Sequence, residues 1–334
     1  MRVLLIGGTG LISTGIVRHL LARGATVDMF NRGRRENTLP PGVRQVTGDR
    51  KDRDAFDRQF ADARYDVVID MIAFTPADAE QDVRAFGGRC EQLVFCSTVC
   101  TYGVKVPPRV LIDESFPQEP VSGYGRDKVA CEQVLLRAHE QGRFRTTIVR
   151  PSHTYGPGSP LIDNLQFDPV TWDRIARGRP VLCSGDGLGL WVSTHRDDVG
   201  KLFAHACLNP ATYGQAYNAT RDEHFTWRDY YREAARALGT TAQVLFVPAG
   251  WLLRQAPDRF GFVREISGWH GAYTSDKAKR DVPGFRCEVD FATGARETLE
   301  DVRRRNAWRA DESDPGYQQL VDRAVAMGIE PATA

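Results

Sequence analysis

The sequence predicts an α/β protein built on a doubly wound parallel sheet, with a smaller C-terminal lobe. Three features of the chain point there. Short apolar runs alternate with helix-periodic stretches through the first half, as consecutive βαβ units require. The first apolar run passes straight into a glycine turn that opens a helix. Beyond Arg150, Pro and Gly become frequent and the alternation loosens. A length of 334 residues suits one large α/β unit carrying a second lobe.

Residues 2–6 are a largely apolar run, of the kind buried on both faces of a parallel sheet. Ile12, Ile16, Leu20 and Leu21 follow at helical spacing, and Gly24 closes that helix. Residues 27–30, 43–46, 67–72, 93–96 and 146–149 read as further strands, separated by helical or polar stretches. Past Arg150, helices are expected around 168–177, 197–208 and 226–238, the last capped by Gly239. This lobe is expected over the carboxyl edge of the sheet, where open α/β sheets bind ligands. The tail after Asp311 is polar, and its last few residues are expected to fray.

Composition narrows the function classes. Hydrophobic residues make up 42% and charged residues 26%, as in soluble globular proteins. A net charge of +1 gives no overall field favouring nucleic acid or anionic membrane. No apolar run approaches the ~18–20 residues of a membrane span. The N-terminal run is too short for a secretory signal, so a cytoplasmic location is expected. The seven cysteines are scattered without a CxxC pair, which argues for reduced thiols rather than disulfides or zinc. No histidine–carboxylate cluster has metal spacing, and no metal is expected.

Gly7-Gly8-Thr9-Gly10-Leu11-Ile12-Ser13 joins the first strand to the first helix. Glycine lets the backbone turn tightly and a pyrophosphate approach the helix N-terminus, where free N–H groups and the helix dipole favour anions. A purely structural strand-to-helix turn is the plainer alternative. Position, preceding strand and following helix together predict a Rossmann-type dinucleotide-binding domain over residues 1–165, with segments at about 180–222 returning to it. Residues 166–330 would then be mainly a substrate-binding lobe. Ser13 replaces the third glycine of the spacing and is expected to be tolerated, with an extra phosphate contact open to its hydroxyl. At the end of the second strand, where an acid would bind the ribose 2′-hydroxyl of NAD, stand Asn31 and Arg32, with Arg35 beyond. An amide beside a guanidinium favours the 2′-phosphate of NADP over NAD. Asp49 is placed to receive the adenine amino group, and Arg50 and Ala73 are placed in the same nucleotide site as Gly7, Thr9, Gly10, Leu11 and Ile12.

Tyr124 and Lys128 stand four residues apart, so on a helix they share a face. A fixed cation beside a phenol, whose free pKa is ~10, stabilises the phenolate and prepares a general acid/base. Ser97 and Thr98 end the strand before them, with Thr98 26 residues upstream of the tyrosine. A hydroxyl there can hold the substrate oxygen that gains or loses the proton. The plainer reading is a surface tyrosine and a helix-capping threonine.

With these residues the chain resembles the extended short-chain dehydrogenase/reductases, the epimerase/dehydratase group containing UDP-galactose 4-epimerase and the nucleotide-sugar dehydratases. The resemblance also takes in 96–103, Arg150-Pro151 through Tyr155-Gly156-Pro157, His195-Arg196-Asp197-Asp198-Val199, and Asp276-Lys277-Ala278-Lys279. It implies that Thr98, Tyr124 and Lys128 are the catalytic hydroxyl, the acid/base and the ribose-binding lysine. Departures qualify it. Val99 and Cys100 replace the Asp–Glu pair of the dehydratases, which argues against 4,6-dehydration. Trp191 stands where nucleotide-sugar members carry a diphosphate-clamping arginine, and His153 stands where they carry asparagine. A UDP- or dTDP-sugar is therefore in doubt, although Arg196, Arg174 or Arg177 could clamp phosphate from elsewhere. In texture, Trp172-Asp173-Arg174-Ile175 through Gly185-Asp186-Gly187 to His195 is similar to the chloroplast stem-loop-binding proteins and their bacterial relatives. Those proteins do not keep the Tyr-x-x-x-Lys pair, whereas this chain does.

Ser97, His153, Trp191 and Arg196 are the candidate substrate contacts, with His153 open between contact and packing. Trp251 and Trp269 could stack on a sugar or ring, although large aromatics in a second lobe more often belong to the core, and Arg303-Arg304-Arg305 reads as a solvated helix face. The predicted function is NAD(P)-dependent redox chemistry at a secondary carbinol or ketone of a sugar or sugar-like substrate, leaning to epimerisation. An NADP-dependent ketoreductase acting on a non-nucleotide small molecule is the alternative. A cofactor-binding module for RNA or protein is the alternative from another class, with near-neutral charge counting against nucleic acid. A homodimer through the outer helices would be ordinary for this fold.

Overall fold

The structure, a computed structural model, describes residues 1–34, 39–105, 111–166 and 170–334. Its architecture is set by β1 (Arg2–Ile6), which is apolar on both faces. Val3 and Leu5 enter one core with Ile16, Leu20, Val199 and Leu202. Leu4 and Ile6 enter the opposite core with Phe30, Phe56, Phe86 and Leu135. A strand buried on both sides needs a layer of helices on each, and the chain supplies them in alternation. The succession is α1 (Leu11–Ala22), β2 (Thr26–Asn31), β3 (Val43–Thr47), α2 (Arg53–Gln59), β4 (Tyr65–Asp70), α3 (Pro76–Phe86), β5 (Cys90–Cys96), α4 (Gly123–Glu140) and β6 (Arg145–Pro151).

The second half brings β7 (His153–Tyr155), α5 (Val170–Ala176), β8 (Val181–Ser184), β9 (Leu190–Trp191), β10 (Ser193–His195) and α6 (Arg196–Ala206). It continues with β11 (Gln215–Ala219), β12 (Phe225–Thr226), α7 (Trp227–Ala237), β13 (Gln243–Val247) and α8 (Ala249–Gln255). It ends with α9 (Asp276–Asp281), α10 (Phe291–Arg304), α11 (Pro315–Ala326) and β14 (Ala332–Thr333).

Seven strands form the central sheet in the order β3-β2-β1-β4-β5-β6-β11, each pair parallel. The order reverses between β1 and β4, and that switch opens a crevice at the carboxyl ends. Helices α1 and α6 cover one face; α2, α3 and α4 cover the other. Helices α1 and α6 approach closely because both crossing residues are glycine. A Cβ on Gly15 would lie 2.4 Å from the Arg196 carbonyl oxygen, and one on Gly200 2.3 Å from the Gly15 carbonyl carbon.

Within residues 180–222, β11 joins the central sheet beside β6, whereas β8 pairs with β13 in a separate three-stranded sheet. Trp172, Trp227, Tyr230, Tyr231 and Phe291 fill the core of this second lobe. Helix α7 buries Trp227, Tyr230, Tyr231, Ala234 and Ala235 on one face, and a Thr226–Asp229 capping box starts it. The expected fourth strand ends at Asp70 rather than residue 72. The Asp70 carboxylate accepts the N–H groups of Ile72 (2.6 Å) and Ala73 (2.8 Å), turning the chain out of the sheet. No described helix is long and apolar enough to cross a membrane.

Candidate active site

The glycine turn after β1 is a fitted cradle. Gly7 has φ +86, and a Cβ there would lie 2.5 Å from Ile72 Cγ2; one on Gly8 would lie 2.2 Å from Met29 Cγ. Gly10 caps α1 without a side-chain hydrogen bond, and the first turn carries no acid. Its N–H groups are thus left to an anion. Leu11 and Ile12 open this helix, half-buried. Ser13 corrects one expectation. Its buried hydroxyl donates to the Gly7 carbonyl at 3.0 Å, so it braces the turn instead of reaching a phosphate.

A cleft of about 430 Å³ extends from Gly7, Thr9 and Gly10 to Asn31, Arg32 and Arg34. Asn31 Oδ1 accepts the Gly33 N–H at 2.7 Å, while its Nδ2 is buried with no protein partner. Arg32 and Arg34 are exposed on the rim, and Arg35 lies outside the described residues. Asp49 also lines the cleft and accepts the Lys51 N–H at 2.9 Å. Arg50 borders it but is committed elsewhere. Its guanidinium is buried against Asp70, donates to Asp82 at 3.0 Å and to the Asp78 carbonyl at 2.8 Å. Arg50 therefore braces the cleft floor rather than reaching into it. Burial and the neighbouring Asp70 raise the Asp82 pKa, while Arg50 holds Asp70 low. The cradle, the open helix terminus and the basic rim together fit a dinucleotide.

The second constellation stands where β5 and α4 meet. Thr98 is buried and its Oγ1 accepts the Cys100 N–H at 3.2 Å. Lys128 is buried too, donating to the carbonyls of Ala73 (2.9 Å) and Cys96 (2.7 Å). Its Nζ lies 5.8 Å from the Tyr124 ring centre, 4.9 Å from that of Phe74 and 4.7 Å from that of Phe95. The Tyr124 side chain remains partly exposed at the N-terminal end of α4. Its pKa is pushed well up, by burial first and then by the Cys96 and Cys100 thiols, with a Thr98 hydrogen bond pulling the other way. The lowering expected from the lysine does not prevail over that burial; its ammonium donates to two backbone carbonyls and stands 5.8 Å from the centre of the phenol ring. Ser97 also departs from expectation. Its hydroxyl is buried and donates to Glu132 at 2.5 Å, and Glu132 is clasped by Arg150 at 2.9 and 2.6 Å. Arg150 reaches the Tyr102 hydroxyl at 2.9 Å, so this network holds the loop after β5 in place.

Thr98 also borders a second cavity, of about 200 Å³ and mostly apolar. His153 and Trp191 are among its lining residues. His153 Nδ1 shares a hydrogen bond with Ser193 Oγ at 2.8 Å, and burial pushes its pKa down to about 3. Trp191 stacks on Trp227 at 4.7 Å and donates to Ser193 at 3.0 Å. Arg196 is not among the lining residues; it donates to the Pro157 carbonyl. Arg174 and Arg177 are likewise committed, to Asp311 and to Asp173 and Glu312. The sequence reading missed Phe262, Glu265 and Ile266 and, for Trp269, favoured core over stacking on a ligand. All four line the cavity, and their i, i+3, i+4, i+7 spacing was the available signal. Phe74, exposed on the nucleotide cleft, was also missed.

The chain is similar to known proteins over most of its length. Residues 3–220 match the NAD dependent epimerase/dehydratase family. A 2'-dehydrokanamycin reductase from Streptomyces kanamyceticus is 31% identical over 86% of this chain and 80% of its own. The 41 kDa chloroplast stem-loop binding protein b of Arabidopsis thaliana is 24% identical over 88% and 77%. The crystal structure of UDP-glucose 4-epimerase with UDP-glucose from Thermotoga maritima superposes with a TM-score of 0.72 at 21% identity. It covers 92% of this chain and 100% of its own, a likeness of fold.

Proposed function

We propose an activity from one premise: the chain belongs to the NAD dependent epimerase/dehydratase family. It is an NAD(P)-dependent enzyme of the extended short-chain dehydrogenase/reductase type. Within that class, our reading is reduction of a ketone to a secondary carbinol on a sugar-like molecule without a nucleotide, with NADP(H) preferred. The observation that carries it is the cluster of Thr98, which borders the small apolar pocket, with Tyr124, hydrogen-bonded to it, and Lys128 beside the Tyr124 ring.

When bound, the reduced nicotinamide supplies the hydride. The glycine turn and the α1 N-terminus would hold its pyrophosphate, and Arg32 and Arg34 its 2′-phosphate. Tyr124, kept protonated by its raised pKa, gives its proton to the carbonyl oxygen as that oxygen gains charge. Thr98 accepts from the Cys100 N–H, which leaves its own O–H to donate to the same oxygen. Lys128 fixes the turn after β4 against the end of β5 and offers positive charge to the phenolate that remains. Two further observations favour net reduction over epimerisation. A cavity of about 200 Å³ is smaller than the ~300–1,000 Å³ of common ligand pockets, which leaves little room for a keto intermediate to turn over. Among the described lining residues there is no Lys or Arg to anchor a diphosphate during such a turn.

Titration of the purified protein with NADH and NADPH, followed by single-turnover reduction of a ketosugar panel, tests this. NADPH should bind more tightly, and Tyr124→Phe should lower the reduction rate by ~10²–10⁴-fold with nucleotide affinity unchanged. Retained, non-exchanging NAD(H) would favour internal epimerisation. Binding of neither nucleotide would remove the redox reading and bring RNA or a protein partner forward.

A further inference from the structure

Resting on that reading, we infer that the substrate carries a protonated amine and that Glu265 is the carboxylate that receives it. Glu265 lies in a π turn, Val263–Ser267, of the kind that often marks functional positions. That turn presents Phe262, Glu265 and Ile266 to the pocket together, and Trp269 follows one turn later. Glu265 is the one Asp or Glu among the described residues lining the cavity. Those residues include no Lys or Arg, and no described side chain forms an ion pair with Glu265. Arg264, its neighbour in sequence, is exposed and turned to the Pro257 carbonyl at 2.9 Å.

The other polar groups do not neutralise it. His153 stays uncharged, its pKa held down by burial. His270 uses Nδ1 to accept the Leu190 N–H at 3.1 Å. The walls suit a cation as well. Trp191 is pinned by its stack on Trp227, and Trp269 by a hydrogen bond from Nε1 to the Arg264 carbonyl at 2.9 Å. Fixed aromatic faces attract ammonium groups, and they do so more strongly where water is excluded. A carboxylate half-withdrawn from water beside such faces gains from a cationic partner and repels a phosphate. The nucleotide cleft, rimmed by Arg32 and Arg34, has the opposite preference. The two ligands are thus sorted by charge.

Calorimetric titration of the NADPH-loaded full chain tests the inference with three probes: methyl glucosaminide, its N-acetyl counterpart and UDP-glucose. The amine should bind at least about tenfold more tightly than the neutral amide. Glu265→Gln should erase that preference with NADPH affinity and thermal midpoint unchanged, and Glu265→Asp should restore part of it. Equal binding of amine and amide, no amine binding, tighter binding of UDP-glucose, or an unchanged preference in Glu265→Gln would each overturn it. NADPH binding and Tyr124-dependent turnover are read separately. If they hold while amine selectivity fails, only the assignment of Glu265 falls; if they fail, the redox reading falls first.

Discussion

On one side of Thr98 the cleft is open, rimmed by Arg32, Arg34 and Lys51, and floored by the Arg50–Asp70–Asp82 cluster. On the other side the pocket is small, walled by Trp191, Phe262 and Trp269, with Glu265 as its acid. Their supports differ in the same way. The cleft floor depends on buried charges that satisfy one another. The pocket wall depends on packed rings, Trp191 stacked on Trp227 at 4.7 Å, Trp227 edge-to-face with Tyr230 at 5.2 Å and Tyr230 tilted against Phe291 at 4.6 Å. The difference teaches that one chain can build adjacent sites for oppositely charged ligands, provided each site's scaffold balances its own charge.

Breaking the charged scaffold should have the largest effect. Arg50→Met leaves Asp70 and Asp82 buried without their cation, a loss of about 3–5 kcal/mol of unfolding free energy. Urea denaturation measures it, and nucleotide affinity should fall with it because Asp70 holds the turn through Ile72 and Ala73. A loss under ~1 kcal/mol would mean that the acids take up protons without cost and that the floor is not charge-supported.

Acid titration of stability separates the halves next. His153 has a folded pKa near 3, below its unfolded value of ~6.5. The unfolded chain therefore binds the extra proton, so stability is full above ~6.5 and falls as pH drops towards 3, at up to ~1.4 kcal/mol per pH unit. His195, lowered to about 4 mainly by burial, acts in the upper part of that window. Asp28 belongs to the nucleotide-binding half and is held near 2, first by its hydrogen bond from Arg44. Its contribution is full above the unfolded value of ~3.9 and is lost only as pH falls from there towards 2. His153→Asn should flatten the thermal-midpoint curve between pH 6.5 and 4, whereas Arg44→Ala should lower the midpoint above pH 4 and converge on the wild-type curve as pH falls towards 2. Identical curves for wild type and His153→Asn would show that the pocket does not hold this imidazole neutral.

The same contrast explains what could be read in advance. The nucleotide half was legible because β1, the glycine turn and the α1 start are contiguous, and buried parallel strands announce themselves as apolar runs. Lys128 and Tyr124 were legible as a helical pair. Arg50 was not, since an arginine beside Gly48-Asp49 looks the same in sequence whether it reaches a ligand or the carboxylates of Asp70 and Asp82. Ser97 failed for the same reason, its partner Glu132 lying 35 residues away. The pocket draws on 98–104, 121–122, 151–153, 191–192 and 262–273, and no local pattern joins those segments. Only the spacing of Phe262, Glu265, Ile266 and Trp269 pointed to a shared face, and aromatic residues at that spacing ordinarily mean core.

The smallest expected effect concerns the rim of the cleft. Arg32 is exposed, so its charge is screened and its removal should cost no stability. A 2′-phosphate would nevertheless receive a charge-assisted hydrogen bond from it, and losing one such bond weakens binding by roughly tenfold or somewhat more. Arg32→Ala should therefore raise the NADPH dissociation constant by about that factor and leave NADH unchanged, with the difference shrinking as salt is added. Asn31 makes the complementary test. Its Oδ1 already accepts from Gly33, so Asn31→Asp keeps that bond and adds negative charge at the ribose end of the cleft. That change should repel the 2′-phosphate and favour NADH. If Arg32→Ala weakened both nucleotides alike, the rim would be attracting pyrophosphate in general, and the NADP preference would have to be sought in Arg34 or abandoned.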